Sequence, residues 1–380
     1  MVLLCSVEED KIVFLTTVRT LNIILDDYYL GLTDIKEYIP SFINNILGNI
    51  FNLEESDFVI SSINCLSVIV DIYKENIRIY VENIVTTVSK IWADAGEEYI
   101  LRSSILNLLG KLLKALRNDS YLLHTHLVPI LIFCCDRNNP SSVYLIEDAI
   151  ELILILVSNS DRFTPEVRTI LDILPSLLRT QMDESFQLVL HIYSAMFLLA
   201  PQVSLSLSFD TKYDLSFCHQ LRSMLDNIKA DQASAIFSCL NSAIDASLGC
   251  GLSKLVLHSF ADTGILDVII REIYNSTELG TILCHYYYLF FKIIVADPEL
   301  YYNSIKKYSQ NNSIGFDELN FILLLHIIRK EDILYLPEHR LMLLYFLLEI
   351  LNIYNPVLYQ STIIESSDFC IAKESINLAE

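Results

Sequence analysis

The sequence has little glycine and little proline, nine of each in 380 residues. An all-β chain needs a turn signal about every ten residues, so that class is excluded. Collagen-like and Pro/Gly-rich disordered chains are excluded on the same ground. Charge is also scarce, at 19% of residues, which excludes disorder driven by self-repulsion. Basic residues are the scarcer sign, 26 against 47 acidic, for a net charge of −21. A surface that negative repels phosphate backbones, which argues against direct nucleic-acid binding. It attracts basic protein segments instead.

Long uninterrupted apolar runs are missing as well. Leu188–Leu199, Thr281–Ala296 and Leu341–Tyr354 are the most apolar stretches, but His191, His285 with Lys292, and Glu349 interrupt or bound them. None reaches the ~20 apolar residues that a spanning helix needs, so they read as helices packed on two sides and not as membrane insertions. Met1–Ser6 runs straight into Glu8, Glu9 and Asp10, which is not the pattern of a signal peptide. The nine cysteines are an odd number, scattered through apolar runs. Spacing of that kind predicts free, mostly buried thiols in a reduced, intracellular protein.

What the chain does have is a repeat. Acidic or hydroxyl-bearing helix starts recur at Glu8-Glu9-Asp10, Glu54-Glu55, Glu97-Glu98, Ser141-Ser142 and Asp183-Glu184. Each precedes about 15–20 residues with apolar positions at helical spacing. A short break follows each, and then a second helix: Ile35–Phe51, Ile77–Trp92, Tyr121–Cys135 and Glu166–Leu178. Thr164-Pro165 supplies an N-cap with proline in the first helical position. Two helices per unit at a period of about 44 residues is the HEAT-type signature. One helical pair cannot bury both of its faces, so the units stack and share a core.

Beyond Pro201 the pattern is less even. It predicts first helices near Asp231–Leu248 and Ser276–Ala296, partners near Leu252–Tyr274 and Phe316–Arg329, and a last helix at Glu338–Tyr354. Loops are expected at Gln202–Lys212 and Tyr308–Gly315. The reading is all-α: a HEAT-repeat, ARM-like α-solenoid superhelix of about seven to eight helical pairs over residues 1–355, with an irregular tail at 356–380.

Chemistry-bearing patterns are weak. His124 and His126 face different sides of a helix, and Cys134-Cys135 are adjacent, so neither pair has zinc-ligand spacing. Gly249-Cys250-Gly251-Leu252-Ser253-Lys254 lacks the second glycine before lysine of a phosphate loop, and no strand precedes it. Glu147 and Glu151 share one helix face, whereas catalytic carboxylates flank a substrate from different elements. No enzyme, metal or cofactor is expected. The acidic first turns are favoured by the helix dipole. The 21 tyrosines read as residues at the rim of the core with wet hydroxyls. Trp92 reads as buried packing, or alternatively as an anchor for a partner.

Lys114-Ala115-Leu116-Arg117-Asn118-Asp119-Ser120, then Val143-Tyr144-Leu145-Ile146-Glu147-Asp148-Ala149-Ile150-Glu151-Leu152, then Asn159-Ser160, Thr164-Pro165-Glu166 and Leu174-Pro175-Ser176-Leu177-Leu178 follow one another in a telling order. This order and spacing resembles the middle-to-late HEAT repeats of the importin-β (karyopherin) superfamily, in its importin-eleven branch. The likeness is best over about 95–200 and weaker from Leu289 to about Val357.

The resemblance implies a segment of a nuclear import receptor that shuttles between cytoplasm and nucleus through the nuclear envelope. Basic cargo proteins and nucleoporin FG repeats are its implied partners. Ran GTPase is implied through N-terminal repeats that this chain is expected to lack. Family members place second helices on the concave side, so Glu82, Glu166, Asp172, Asp214 and Asp226 are the implied cargo-facing residues. A generic HEAT scaffold of a cytosolic complex is the alternative, and an enzyme with an unrecognised site is a more distant one.

Overall fold

A computed structural model describes residues 11–27, 34–53, 55–180, 184–209, 217–226, 230–275 and 281–316, with 319 and 323. Every element among them is helical, α or 3-10, and none is a strand. The chain divides into two compact units, Met1–Ala195 and Met196–Glu380.

The first unit holds four helical pairs: α1 (Lys11–Asp27) with α2 (Ile39–Asn49), α3 (Ser56–Tyr73) with α4 (Val81–Asp94), α5 (Tyr99–Leu116) with α6 (His124–Cys135), and α7 (Ser142–Asn159) with α8 (Pro165–Thr180). First helices begin at residues 56, 99 and 142, a period of 43, the HEAT spacing and not the 34 of tetratricopeptide repeats. They form one layer in which α1, α3, α5 and α7 adjoin in chain order. The second helices form the other layer, with α2 against α4 and α6 against α8.

The sequence of α5 explains its place between two neighbours. Leu101, Ile105, Leu106, Leu108, Leu109, Leu112, Leu113 and Leu116 are all buried, on a stripe too wide for a single contact face. Each such side chain taken from water contributes ~2 kcal/mol. Gly110 faces α7, where a Cβ would meet the Leu152 and Ile155 side chains at 3.4 and 3.5 Å, ordinary van der Waals contact. Short 3-10 segments, Lys74–Tyr80 and Arg117–Leu123, turn the chain from first to second helix. Each opens on a residue at positive φ: Lys74 at 49° and Arg117 at 48°.

The second unit contains α10 (Pro201–Ser208), α11 (Phe217–Leu225), α12 (Ala230–Cys250), α13 (Ser253–Asp262), α14 (Ile265–Asn275), α15 (Thr281–Ala296) and α16 (Pro298–Asn312); α9 (Glu184–Leu199) ends in it. Here α12 packs between α10 and α15, and α14 between α11 and α16. Phe209 centres an aromatic cluster, with ring centroids 5.7 Å from Phe197, 5.5 Å from Phe217 and 5.8 Å from Phe260.

Four sequence expectations are corrected in this unit. The expected loop at Gln202–Lys212 is largely the helix α10, which Pro201 opens at its first position. The expected single helix Leu252–Tyr274 is two, because Gly264 at φ +79° turns the chain between α13 and α14. The expected loop at Tyr308–Gly315 begins only at Ser313, where a left-handed residue at φ 56° caps α16. The tyrosine cluster also sits deeper than a rim: Tyr286 and Tyr287 are buried. The helix Glu338–Tyr354, most of Phe316–Arg329 and the tail 356–380 lie outside the described residues.

Candidate partner-binding surface

Four of the five acidic residues singled out in the sequence fall on described second helices or their ends. Glu82 lies exposed in the first turn of α4. Asp172 is exposed in the middle of α8, and Glu166 is half-buried in its first turn. Asp214 lies outside the described residues. Asp226 follows α11, but its carboxylate is already held: it accepts from Arg222 at 2.6 Å and from Arg271 at 2.9 Å. Those bonds lower its pKa from the ordinary value. Asp226 therefore ties α11 to α14, and its charge is largely spent within the unit. On α8, Arg168 and Arg179 are exposed beside Asp172, so that helix presents both signs.

Glu166 belongs to a polar clip that joins two pairs. Thr164 caps α8, its hydroxyl 3.4 Å from the Val167 N–H. The same hydroxyl lies 3.0 Å from Nδ1 of His124, at the start of α6. The other imidazole nitrogen, Nε2, lies 3.0 Å from the Ser160 hydroxyl. His124 is fully buried, and burial lowers its pKa against the opposing pull of Glu166 and Asp161. Bonds to its own backbone N–H and to Thr164 hold the Glu166 carboxyl below its usual range.

The two edges of the first unit differ in chemistry. At the edge formed by the 3-10 segments, opposite charges are matched between neighbouring pairs: Lys111 with Asp71 at 2.6 Å, Arg78 with Asp119 at 2.7 Å, and Arg117 with Glu75 at 3.4 Å. Arg162 stacks on the Tyr121 ring at 4.1 Å on the same edge. The other edge holds the C-terminal ends of the second helices and the N-terminal ends of the first. There the Trp92 and Phe133 rings meet edge-on at 6.2 Å. The guanidinium of Arg102, a residue only 7% exposed, lies 4.9 Å from Trp92 and 5.1 Å from Phe133. Tyr99 and Tyr144 stack beside them at 4.4 Å. Trp92 is thus half-buried and already engaged by a cation.

The sites tested for chemistry resolve into structure. His124 and His126 part, one buried and one exposed, and Cys134 and Cys135 are buried in α6. Burial pushes both thiols up to about 12. Gly251, at φ +76°, follows the end of α12, so this loop opens no phosphate cradle after a strand. Among the described residues no group of three His, Cys, Asp or Glu side chains is placed to hold a metal ion. Glu147 and Glu151 lie exposed on α7.

Stacked helical pairs at this period define an α-solenoid of the HEAT type. The family described as importin-11-like, TPR repeats, matches residues 103–361, and the chain belongs to that family. Human importin-11 is 25% identical over 72% of this chain and 28% of its own length. The fission-yeast importin beta-like protein kap113 is 23% identical over 83% of this chain and 31% of its own. The chain thus spans about a third or less of the curated relatives it matches. Among solved structures, Lph2, a bidirectional nuclear transport receptor of budding yeast, superposes with a TM-score of 0.75. That match covers 93% of this chain and 40% of Lph2 at 18% identity, a likeness of fold. Importin beta follows at a TM-score of 0.52 and 14% identity.

Proposed function

We propose that this chain is the cargo-binding solenoid segment of a nuclear import receptor. Membership of the importin-11-like family over residues 103–361 is the observation that carries this reading. The receptor shuttles between cytoplasm and nucleus by way of the nuclear envelope, without enzymatic chemistry of its own. It binds basic cargo proteins and nucleoporin FG repeats, and it releases cargo to Ran–GTP bound through N-terminal repeats of the receptor.

Glu82, Glu166 and Asp172 on the second helices, together with Asp214, make the cargo-facing set. Asp226 contributes less to it, because two arginines already hold its carboxylate. The net charge of −21 suits a lysine/arginine-rich cargo segment. Each exposed ion pair is worth at most ~1 kcal/mol, so affinity comes from several acting together. It weakens as salt rises and the Debye length shrinks from ~10 Å at 0.1 M to ~3 Å at 1 M.

The test is import of a fluorescent protein carrying a Lys/Arg-rich segment into permeabilised cells, with the full-length receptor and Ran–GTP. Import that depends on the receptor and is abolished by excess Ran–GTP in the cytosol supports the reading. Equal import without the receptor overturns it. Reversal of Asp172 and Asp214 together should slow cargo association more than it speeds dissociation. An unchanged association rate at low salt would remove these residues from the cargo set.

A further inference from the structure

We propose that the edge of the first unit formed by the N-terminal ends of α5 and α7 and the C-terminal ends of α4 and α6 is a second docking surface, for a partner segment in which lysine or arginine alternates with aliphatic residues. The inference rests on the reading that partners are basic protein segments, and it places one of them away from the second-helix face.

Three observations meet on this edge. The first is exposed apolar surface where the first helices begin: Ile100 is 74% exposed, Val143 77% and Tyr144 64%. Single exposed apolar residues are ordinary, whereas a group at one edge marks an interaction site. Tyr99 and Tyr144 bring these helix ends together in register.

The second is unbalanced charge. Asp94, Glu97 and Glu98 lie exposed in the turn that carries the chain from α4 to α5. None of the three pairs with a lysine or arginine among the described residues, although the opposite edge matches three carboxylates with three cations. Charge complementarity therefore selects a basic occupant here.

The third is that cations already rest on the aromatic rings of this edge. Lys90 holds its ammonium 5.7 Å above the Phe51 ring, and Arg102 lies against both Trp92 and Phe133. An open cavity of about 390 Å³, lined by Phe51, Lys90, Ala93 and Asp94, lies beside the first of these contacts. An incoming lysine or arginine meets a ring face and the Asp94 carboxylate in it, and displaces the exposed Lys90 towards solvent. Cation–ring contacts of this kind add to ion pairing because the ring offers its negative face.

The experiment uses a fluorescein-labelled peptide alternating Arg or Lys with Leu, titrated by anisotropy with the full chain at low and high salt. Two double variants carry the same change of net charge: Glu97→Lys with Glu98→Lys on this edge, and Glu82→Lys with Asp172→Lys on the second-helix face. A third, Ile100→Ser with Val143→Ser, removes apolar surface without touching charge. All six positions are solvent-facing, and thermal melts confirm that each variant folds.

The edge reversal should weaken the peptide about tenfold and the face reversal less than about twofold. The apolar variant should weaken it about fivefold, and a control peptide with Ser in place of Leu should be indifferent to that change. Equal weakening by both reversals would mean attraction to net charge alone and would overturn the inference. Weakening by the face reversal only would overturn it too, while leaving the proposed cargo face standing. If neither reversal matters, the inference falls, and the cargo face is judged by its own Asp172 and Asp214 test.

Discussion

Nε2 of His124 lies 3.0 Å from the hydroxyl oxygen of Ser160, a residue of the next helical pair. Ser160 donates its own proton to the Leu156 carbonyl at 2.6 Å, so its oxygen accepts from Nε2–H. The Thr164 hydroxyl oxygen lies 3.0 Å from Nδ1, its one proton shared between that nitrogen and the Glu166 carboxylate. Burial favours the neutral imidazole.

A pH dependence follows from that neutral state. The His124 pKa is lowered by burial in the folded chain, while the unfolded chain has a value near 6.5. As pH falls below about 6.5 the unfolded state takes up a proton that the folded state refuses, so stability falls until the folded pKa is reached. Thermal melts between pH 7.5 and 5.5 should show this loss, and His124→Gln should flatten it. Glu166 also has a lowered pKa, but its contribution is lost only below about 4.5, a separate window.

Trp92 is the single tryptophan of the chain, which makes it a clean reporter of the Arg102 contact. Arg102→Ala opens one face of the indole and removes a buried aliphatic stem, for a loss of ~2 kcal/mol. Trp emission should shift to longer wavelength in the folded variant. Arg102→Lys should keep part of the stability but not the stacking of a planar guanidinium. Unshifted emission in a folded Arg102→Ala protein would contradict the contact between Arg102 and the indole.

Lys74 holds a left-handed φ of 49° with an exposed side chain, a conformation glycine adopts without penalty. Lys74→Gly should raise stability by up to ~1 kcal/mol, since strain relief of ~1–3 kcal/mol outweighs the added freedom of the unfolded chain. Arg117→Gly should gain similarly and lose only the exposed contact with Glu75. Chemical denaturation of each variant measures the difference.

Thiol reactivity should sort by depth. Cys65, Cys134, Cys135, Cys218 and Cys239 are buried thiols, and Cys250 is half-buried. With the Cys134 and Cys135 thiols pushed up to about 12, the thiolate needed for reaction is scarce at pH 8. Titration of the native chain should label Cys250 ahead of the other five, and denaturation should release all nine thiols of the sequence. Two or more stable native disulfides would contradict the expected reduced state.

The repeat was readable because its cause is local. Acidic or hydroxyl starts such as Glu98 and Ser141 immediately precede α5 and α7, and the apolar spacing that follows is set by burial in the first-helix layer. Thr164-Pro165 marked the start of α8 to the residue. The second unit was harder for a physical reason. Gly264 breaks a helix that apolar periodicity alone would continue, and polar Gln202–Ser208 is helical because Pro201 and the Phe209 cluster fix its ends.

Charge was the least readable property of the surface. Asp226 and Asp172 look alike in sequence, yet only Asp226 meets two arginines, one of them 45 residues away. The imbalance between the two edges of the first unit likewise depends on pairings such as Arg78 with Asp119. No periodicity encodes those pairings. Arg102 went unnoticed as well, since a lone arginine in an apolar run gives no hint of the two rings it joins.

Among the described residues of the first unit the side-chain ties join adjacent pairs: Asp71 to Lys111, Ser103 to Asp148, Ser120 to the Asn159 carbonyl. Each of these seams is closed by its own short set of bonds. Stretched from its ends, such a stack parts like a zip with separate teeth and not like a single knot. Every seam that yields frees one pair of about 43 residues, roughly 150 Å of extended chain. Pulled in this way the stack lengthens in steps and recoils, because each tooth finds its partner again without waiting for the others.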